Sequence, residues 1–206
     1  IPKGAFTKGQ ELVLKTIAII VSLIAWIWAF VLLAQSDVHP AYFVAGHVMA
    51  GLACICTSLI ALVATIARQI RNVYTDKERK QWPKLVLLMG TISLLWGLFV
   101  IFADSSSTNG VIGYIMIGLG LVCYSISSKV ILLAKIWGRE FALANRIPLI
   151  PVLTALACLF LASFAFELGT THDDYFIPAR VLAGLGAICF TLFSIVSILE
   201  SGTSSK

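Results

Sequence analysis

Six stretches of this chain contain no Asp, Glu, Lys or Arg: 16–36, 38–67, 85–103, 105–128, 147–166 and 181–199, each of 19 to 30 residues. An α-helix rises about 1.5 Å per residue, so roughly 20 residues cross a ~30 Å hydrocarbon core. Lipid offers no partner to a backbone amide, and a continuous apolar run satisfies its own amides only as a helix. A transmembrane barrel would instead show alternating segments of about 10 residues. Composition agrees. The chain is 59% hydrophobic and 12% charged, about half the charged share of a soluble domain, too little to coat a surface in water. The expected fold is all-α, a single transmembrane domain over 1–206 with six spanning helices.

The net charge of +5 could suggest nucleic acid, but the placement of the charges argues for a membrane. Lys3, Lys8 and Lys15 precede the first run. Arg68, Arg71, Lys77, Arg79, Lys80 and Lys84 lie between the second and third runs. Lys129, Lys135, Arg139 and Arg146 lie between the fourth and fifth, and Lys206 ends the chain. Fourteen of fifteen basic residues thus fall on one side of a six-helix topology, with Arg180 alone on the other. By the positive-inside rule both termini are expected to be cytoplasmic. The bilayer is the expected partner, and nucleic acid is not. Pro40, Pro83, Pro148, Pro151 and Pro178 are expected in or just before first helical turns, where a missing N–H costs little. Trp82 and Trp137 are expected at the basic interface with the indole N–H near water. The basic segments at about 69–82 and 138–147 are expected as the longer loops.

An internal repeat organises the runs. Residues 42–56, YFVAGHVMAGLACIC, recur as 175–189, YFIPARVLAGLGAIC, at a constant offset of 133. Residues 113–123, GYIMIGLGLVC, give a weaker copy offset by 67 from the first. The chain therefore reads as three hairpins of one orientation, about 13–68, 84–137 and 148–200, related by an axis along the membrane normal. Small residues recur at Gly46/Gly113/Ala179, Gly51/Gly118/Gly184 and Ala53/Gly120/Gly186. Because small residues let membrane helices approach closely, Gly46, Gly51, Gly113, Gly118 and Gly184 are the expected packing positions. On this reading the second, fourth and sixth helices form the inside of the bundle, and the odd helices lie further out.

One register position is polar in every copy: His47, Tyr114 and Arg180, each four residues before the shared glycine and hence on its face. Ionisable groups within a span are functional candidates. Two arrangements are open. The three converge on a common axis, or Arg180 snorkels to the interface and His47 bonds a backbone carbonyl. His39, His47 and His172 all belong to the outer half, which would gain charge on acidification. Cys54, Cys56, Cys123, Cys158 and Cys189 all lie within spans and read as small hydrophobes. No metal-ligand spacing, phosphate loop or nucleophile motif occurs, so no metal, cofactor or catalytic residue is expected.

With 42–51 (YFVAGHVMAG), 123–129 (CYSISSK), 143–151 (LANRIPLIP) and 175–199 in view, the chain resembles the YhiM family of enterobacterial inner-membrane proteins. The resemblance covers nearly the whole chain and implies the C-terminal part of a longer protein, with further helices upstream. It implies an inner-membrane location and a role in acid or envelope stress, with no established biochemical activity. A channel or transporter for protons or a small solute is the alternative. Its own upstream helices, or other membrane proteins, are the implied protein partners.

Overall fold

The computed structural model describes residues 7–137 and 147–204. Lys3, Arg139, Arg146 and Lys206, counted above on the basic side, lie outside the described residues. Among the described residues there are six α-helices: α1 (Lys8–Ala34), α2 (Pro40–Ile70), α3 (Asp76–Ala103), α4 (Ser107–Trp137), α5 (Leu149–Gly169) and α6 (Phe176–Ser204), with a 3₁₀ turn (Asp173–Tyr175) before α6. All six are long and apolar enough to cross a membrane. There is no strand among the described residues.

Local chemistry sets the helix ends. Thr7 and Thr75 each form a capping box, with Gln10 and Glu78 respectively, so two orphan donors are satisfied at the starts of α1 and α3. Asn72, the one non-glycine residue at positive φ among those described, ends α2. The amide of Val73 donates to the Arg68 carbonyl and that of Asn72 to Gln69, both at 3.0 Å, a Schellman arrangement.

These caps correct two expectations. The segment 69–82 is not a long loop, because α3 already begins at Asp76. Its first turns carry Asp76 and Glu78, which suit a helix N-terminus. Pro83 therefore lies inside α3 rather than in its first turn, and its ring deprives the carbonyl four residues back of a donor. Trp82 also departs from expectation, since its indole N–H is buried without a partner among the described residues.

Consecutive helices pair as antiparallel hairpins, α1 with α2, α3 with α4 and α5 with α6. The hairpins follow one another in a row. Helix α4 stands at the centre, packed on α2 and α3 on one flank and on α5 and α6 on the other. Helix α3 sits in the groove between α2 and α4, and α5 in the groove between α4 and α6. The main core runs along α4 through Ile115, Leu119, Val122, Ile126 and Val130.

Candidate functional site

Glycine determines how closely these helices meet, and the contacts differ from the expected ones. Gly51 faces Leu119 of α4, and a Cβ on it would overlap that side chain. Gly118 faces α6, where a Cβ would come within 2.7 Å of both Leu182 and Leu185. Even helices therefore do meet through these two positions. Gly184 does not share the pattern: it is exposed, and no described atom of a neighbouring element lies within 4 Å of its Cβ position. The remaining glycines turn towards odd helices. Gly46 packs on Leu33 of α1, and Gly113 on Ile101 and Gly97 of α3.

Helices α3 and α4 approach backbone to backbone at two glycine pairs, so the odd helices are not simply peripheral. A Cβ on Gly97 would stand 2.8 Å from the Gly113 carbonyl, and one on Gly120 would stand 2.9 Å from the Gly90 carbonyl. Between these two glycine pairs, the Ser93 hydroxyl donates to the Met116 carbonyl at 2.8 Å.

His47, Tyr114 and Arg180 share a register but do not meet as three: Tyr175 adjoins Tyr114 and lines a cavity with Arg180, while His47 packs elsewhere. His47 is buried, 5% exposed. Its Nδ1–H donates to the Phe43 carbonyl at 2.7 Å. A carbonyl can only accept, so this bond places the proton of the neutral ring on Nδ1 and leaves Nε2 as the acceptor. The imidazole meets the rings of Phe43 and Trp96 edge-on, at centroid distances of 4.6 and 5.6 Å. Tyr114 meets Tyr175 edge-on at 5.9 Å. The exposed Arg180 places its guanidinium 5.3 Å from the Phe166 ring centroid, a cation–π distance. His47 thus turns to α3, Tyr114 to the 3₁₀ turn and Arg180 to α5. The physical reason is the row: α4 stands between α2 and α6, so equivalent faces of the three even helices have no common axis to meet on.

A small cavity opens at the end of the bundle that carries Arg180. It has a volume of about 140 Å³ and is lined by Ala165, Phe166, Gly169, Thr170, Tyr175 and Arg180. Beside it Ser107 of α4 donates to Asp174 at 2.6 Å, and His172 stacks edge-on with Tyr175 at 6.4 Å. Below this level two hydroxyls of the even helices bond to their own backbone. Ser58 donates to the Cys54 carbonyl at 2.9 Å and Thr191 to the Ala187 carbonyl at 3.1 Å. The described cysteines are free. The described residues hold no group of three His, Cys, Asp or Glu side chains suited to a shared metal ion.

The opposite end holds a charge cluster that sequence reading missed. Glu11 of α1 is 4% exposed and pairs with Lys15 at 2.6 Å, with Arg71 in a short contact, and with Arg68 at 3.8 Å. Arg68 also holds Glu78 at 2.7 Å. One acid therefore ties the start of α1 to the end of α2, and Arg68 carries the link to α3. Tyr74 in the loop is buried, and burial pushes its phenol above the ordinary range. An i, i+4 Glu–Lys pair at the start of a helix was the available signal.

Fold and hydropathy together define a polytopic α-helical membrane protein. The chain belongs to the family described as "Protein of unknown function (DUF2776)", which matches residues 1–204. It is also similar to "Inner membrane protein YhiM" of Escherichia coli (strain K12), with 52% identity over 193 residues. That match covers 94% of this chain and 55% of the relative, so the chain spans little more than half the relative's length. No solved structure matches.

Proposed function

We propose that this is a non-enzymatic protein of the bacterial inner membrane, with both termini cytoplasmic, that acts in survival of acid or envelope stress. The similarity to a relative named as an inner membrane protein supports the location, and the fourteen-to-one basic asymmetry supports the orientation. The observation that carries the acid reading is His47. In this orientation it belongs to the half of the protein nearer the outside. A second proton would have to enter at Nε2, in a site walled by Phe43 and Trp96. A cation formed there must be held by ring faces or must repack α2 against α3. Either response couples outside pH to helix packing.

The test compares thermal stability of the purified wild type and His47→Gln from pH 8 to 4, alongside acid survival of cells relying on each. The stability curves are expected to diverge as pH falls, and the His47→Gln cells to survive less well. Superimposable curves with equal survival would remove the acid-sensing role and leave His47 as a packing residue.

A channel or transporter for protons or a small solute is the second reading. It is favoured by the cavity beside Arg180 and opposed by the glycine-tight contacts of α4 below it. Flux into liposomes carrying the protein decides between the two.

A further inference from the structure

We infer that the protein holds an anionic phospholipid, with the lipid phosphate seated between α3 and α4 at the basic end of the bundle. A cavity of about 270 Å³ opens there. It is lined by Arg79, Lys80 and Pro83 of α3 and by Ile131, Ala134 and Lys135 of α4, so its walls belong to one hairpin. The packing of that hairpin explains the gap. Gly97 meets Gly113, and Gly90 meets Gly120, at close backbone approach. Continued towards the basic end, the same antiparallel register sets Arg79 opposite Ile131. Neither helix has a glycine on the basic side of Gly90 and Gly120, and Pro83 stands there inside α3. Small residues are what let membrane helices close on each other. Where they stop, larger side chains hold α3 and α4 apart.

Charge, depth and an apolar floor select the occupant. Three cations line the cavity, Arg79, Lys80 and Lys135. Asp76 pairs with Arg79 at 3.4 Å from a side chain that is 86% exposed, so it offsets one charge of the three, while Glu78 turns away to Arg68. The surplus suits a phosphate, which accepts hydrogen bonds from ammonium and guanidinium groups alike. Lys80 stands five residues before the uncharged run at 85–103, and Lys135 seven residues after the run at 105–128. These spacings are about 7 and 10 Å along a helix. The headgroup layer is roughly 5–7 Å deep on each side, and lysine stems can fold back to phosphate level. Pro83 and Ile131 lie on the membrane side of the cations in their own helices. They offer the lipid's glycerol and first methylenes an apolar floor that a free phosphate would leave wet. Basic pockets between helices at this level are of the kind that binds anionic headgroups. The inference needs the six helices to span a bilayer, but neither a role in acid stress nor a particular orientation.

The test is native mass spectrometry of the purified full chain in detergent, titrated with phosphatidylglycerol or with phosphatidylcholine of the same acyl chains. One phosphatidylglycerol per chain is expected to be retained, at least about tenfold more tightly than phosphatidylcholine. Lys80→Gln and Lys135→Gln should each weaken retention about fivefold. Lys77→Gln, an exposed position of α3 outside the cavity lining, should leave it unchanged. Ile131→Trp fills the cavity without altering charge and should weaken retention at least about tenfold. Thermal melting checks that each variant folds. Where Ile131→Trp does not, the exposed Lys80→Gln set against Lys77→Gln still decides. Equal retention of the two lipids, an equal loss from Lys77→Gln, or undiminished retention by folded Ile131→Trp would each overturn the proposal. Binding of inorganic phosphate alone, with no preference for the lipid, would overturn it as well.

Discussion

Glu11 faces three cations from a position almost closed to solvent. Burial of a carboxylate is unfavourable unless its charge is matched, and here the matching groups come from two different helices. Replacing Glu11 by Gln keeps the shape and removes the charge, leaving Arg68 and Arg71 facing a neutral amide. Glu11→Gln is therefore expected to destabilise the bundle by about 2 kcal/mol. That is below the ~3–5 kcal/mol of a fully buried broken pair, because both arginines keep part of their guanidinium in water. Thermal unfolding in detergent, compared with Lys15→Gln, measures it. Lys15→Gln should cost less, since Glu11 then retains Arg71. Equal losses would place the effect in the Glu11–Lys15 pair alone. His47 shows the limit of sequence at this scale. Its identity and its depth in the second helix are readable from the chain. Its partner Trp96 is not, because the rotation of α2 about its own axis is set by packing on α3.

Among the helices, glycine position separates contacts that carry stability from positions that only look equivalent. Gly97 and Gly120 oppose backbone carbonyls of the facing helix, which cannot swing aside as a side chain can. Gly120→Leu should cost about 3 kcal/mol or more through overpacking of α3 on α4. Gly184→Leu should stay within about 0.5 kcal/mol, as for an open surface position. Steric trapping or thermal melts of the two variants in detergent provide the comparison. A Gly184→Leu loss as large as that of Gly120→Leu would mean that α6 packs differently. The six helices themselves were legible because lipid forces every apolar run of sufficient length to satisfy its backbone internally. Their ends were less so. Absence of charge marks the hydrocarbon, whereas α3 begins nine residues before its uncharged run, at a capping box with charged first turns. Recurrent small residues announced close approach but not its direction. The same register meets α4 from α2, α6 from α4, and no described atom from α6.

For the molecule as a whole, six spanning helices place the start of α1 and the end of α6 on one side, and charge is expected to decide which side that is. The basic end described in the structure includes Lys8, Lys15, Arg68, Arg71, Arg79, Lys84 and Lys135, tied together in part by Glu11 and Glu78. Asp37, His39, His172, Asp173 and Asp174 lie at the other end, between helices α1 and α2 or α5 and α6. A Lys or Arg beside a span resists translocation, so the positive-inside rule predicts the orientation with the α2–α3 loop inside, through the sum of many small biases. Asp and Glu near the spans contribute little to that choice, so neutralising Glu11 should weaken the bundle without inverting it. Single cysteines at Lys77 and at Asp173 in a cysteine-free chain provide the test, labelled in intact cells by a reagent that does not cross the inner membrane. Asp173→Cys is expected to label from outside, and Lys77→Cys only after the membrane is opened. The reverse pattern would mean that the charge asymmetry does not set the topology, and would place His47 on the cytoplasmic half, out of reach of external acid. Removing the bias should bring that inversion about. With Arg71, Lys77, Arg79 and Lys80 replaced by Gln, a measurable fraction of Lys77→Cys-equivalent label, read from a cysteine at Asp76, should become accessible from outside while Asp173→Cys labelling falls by the same fraction.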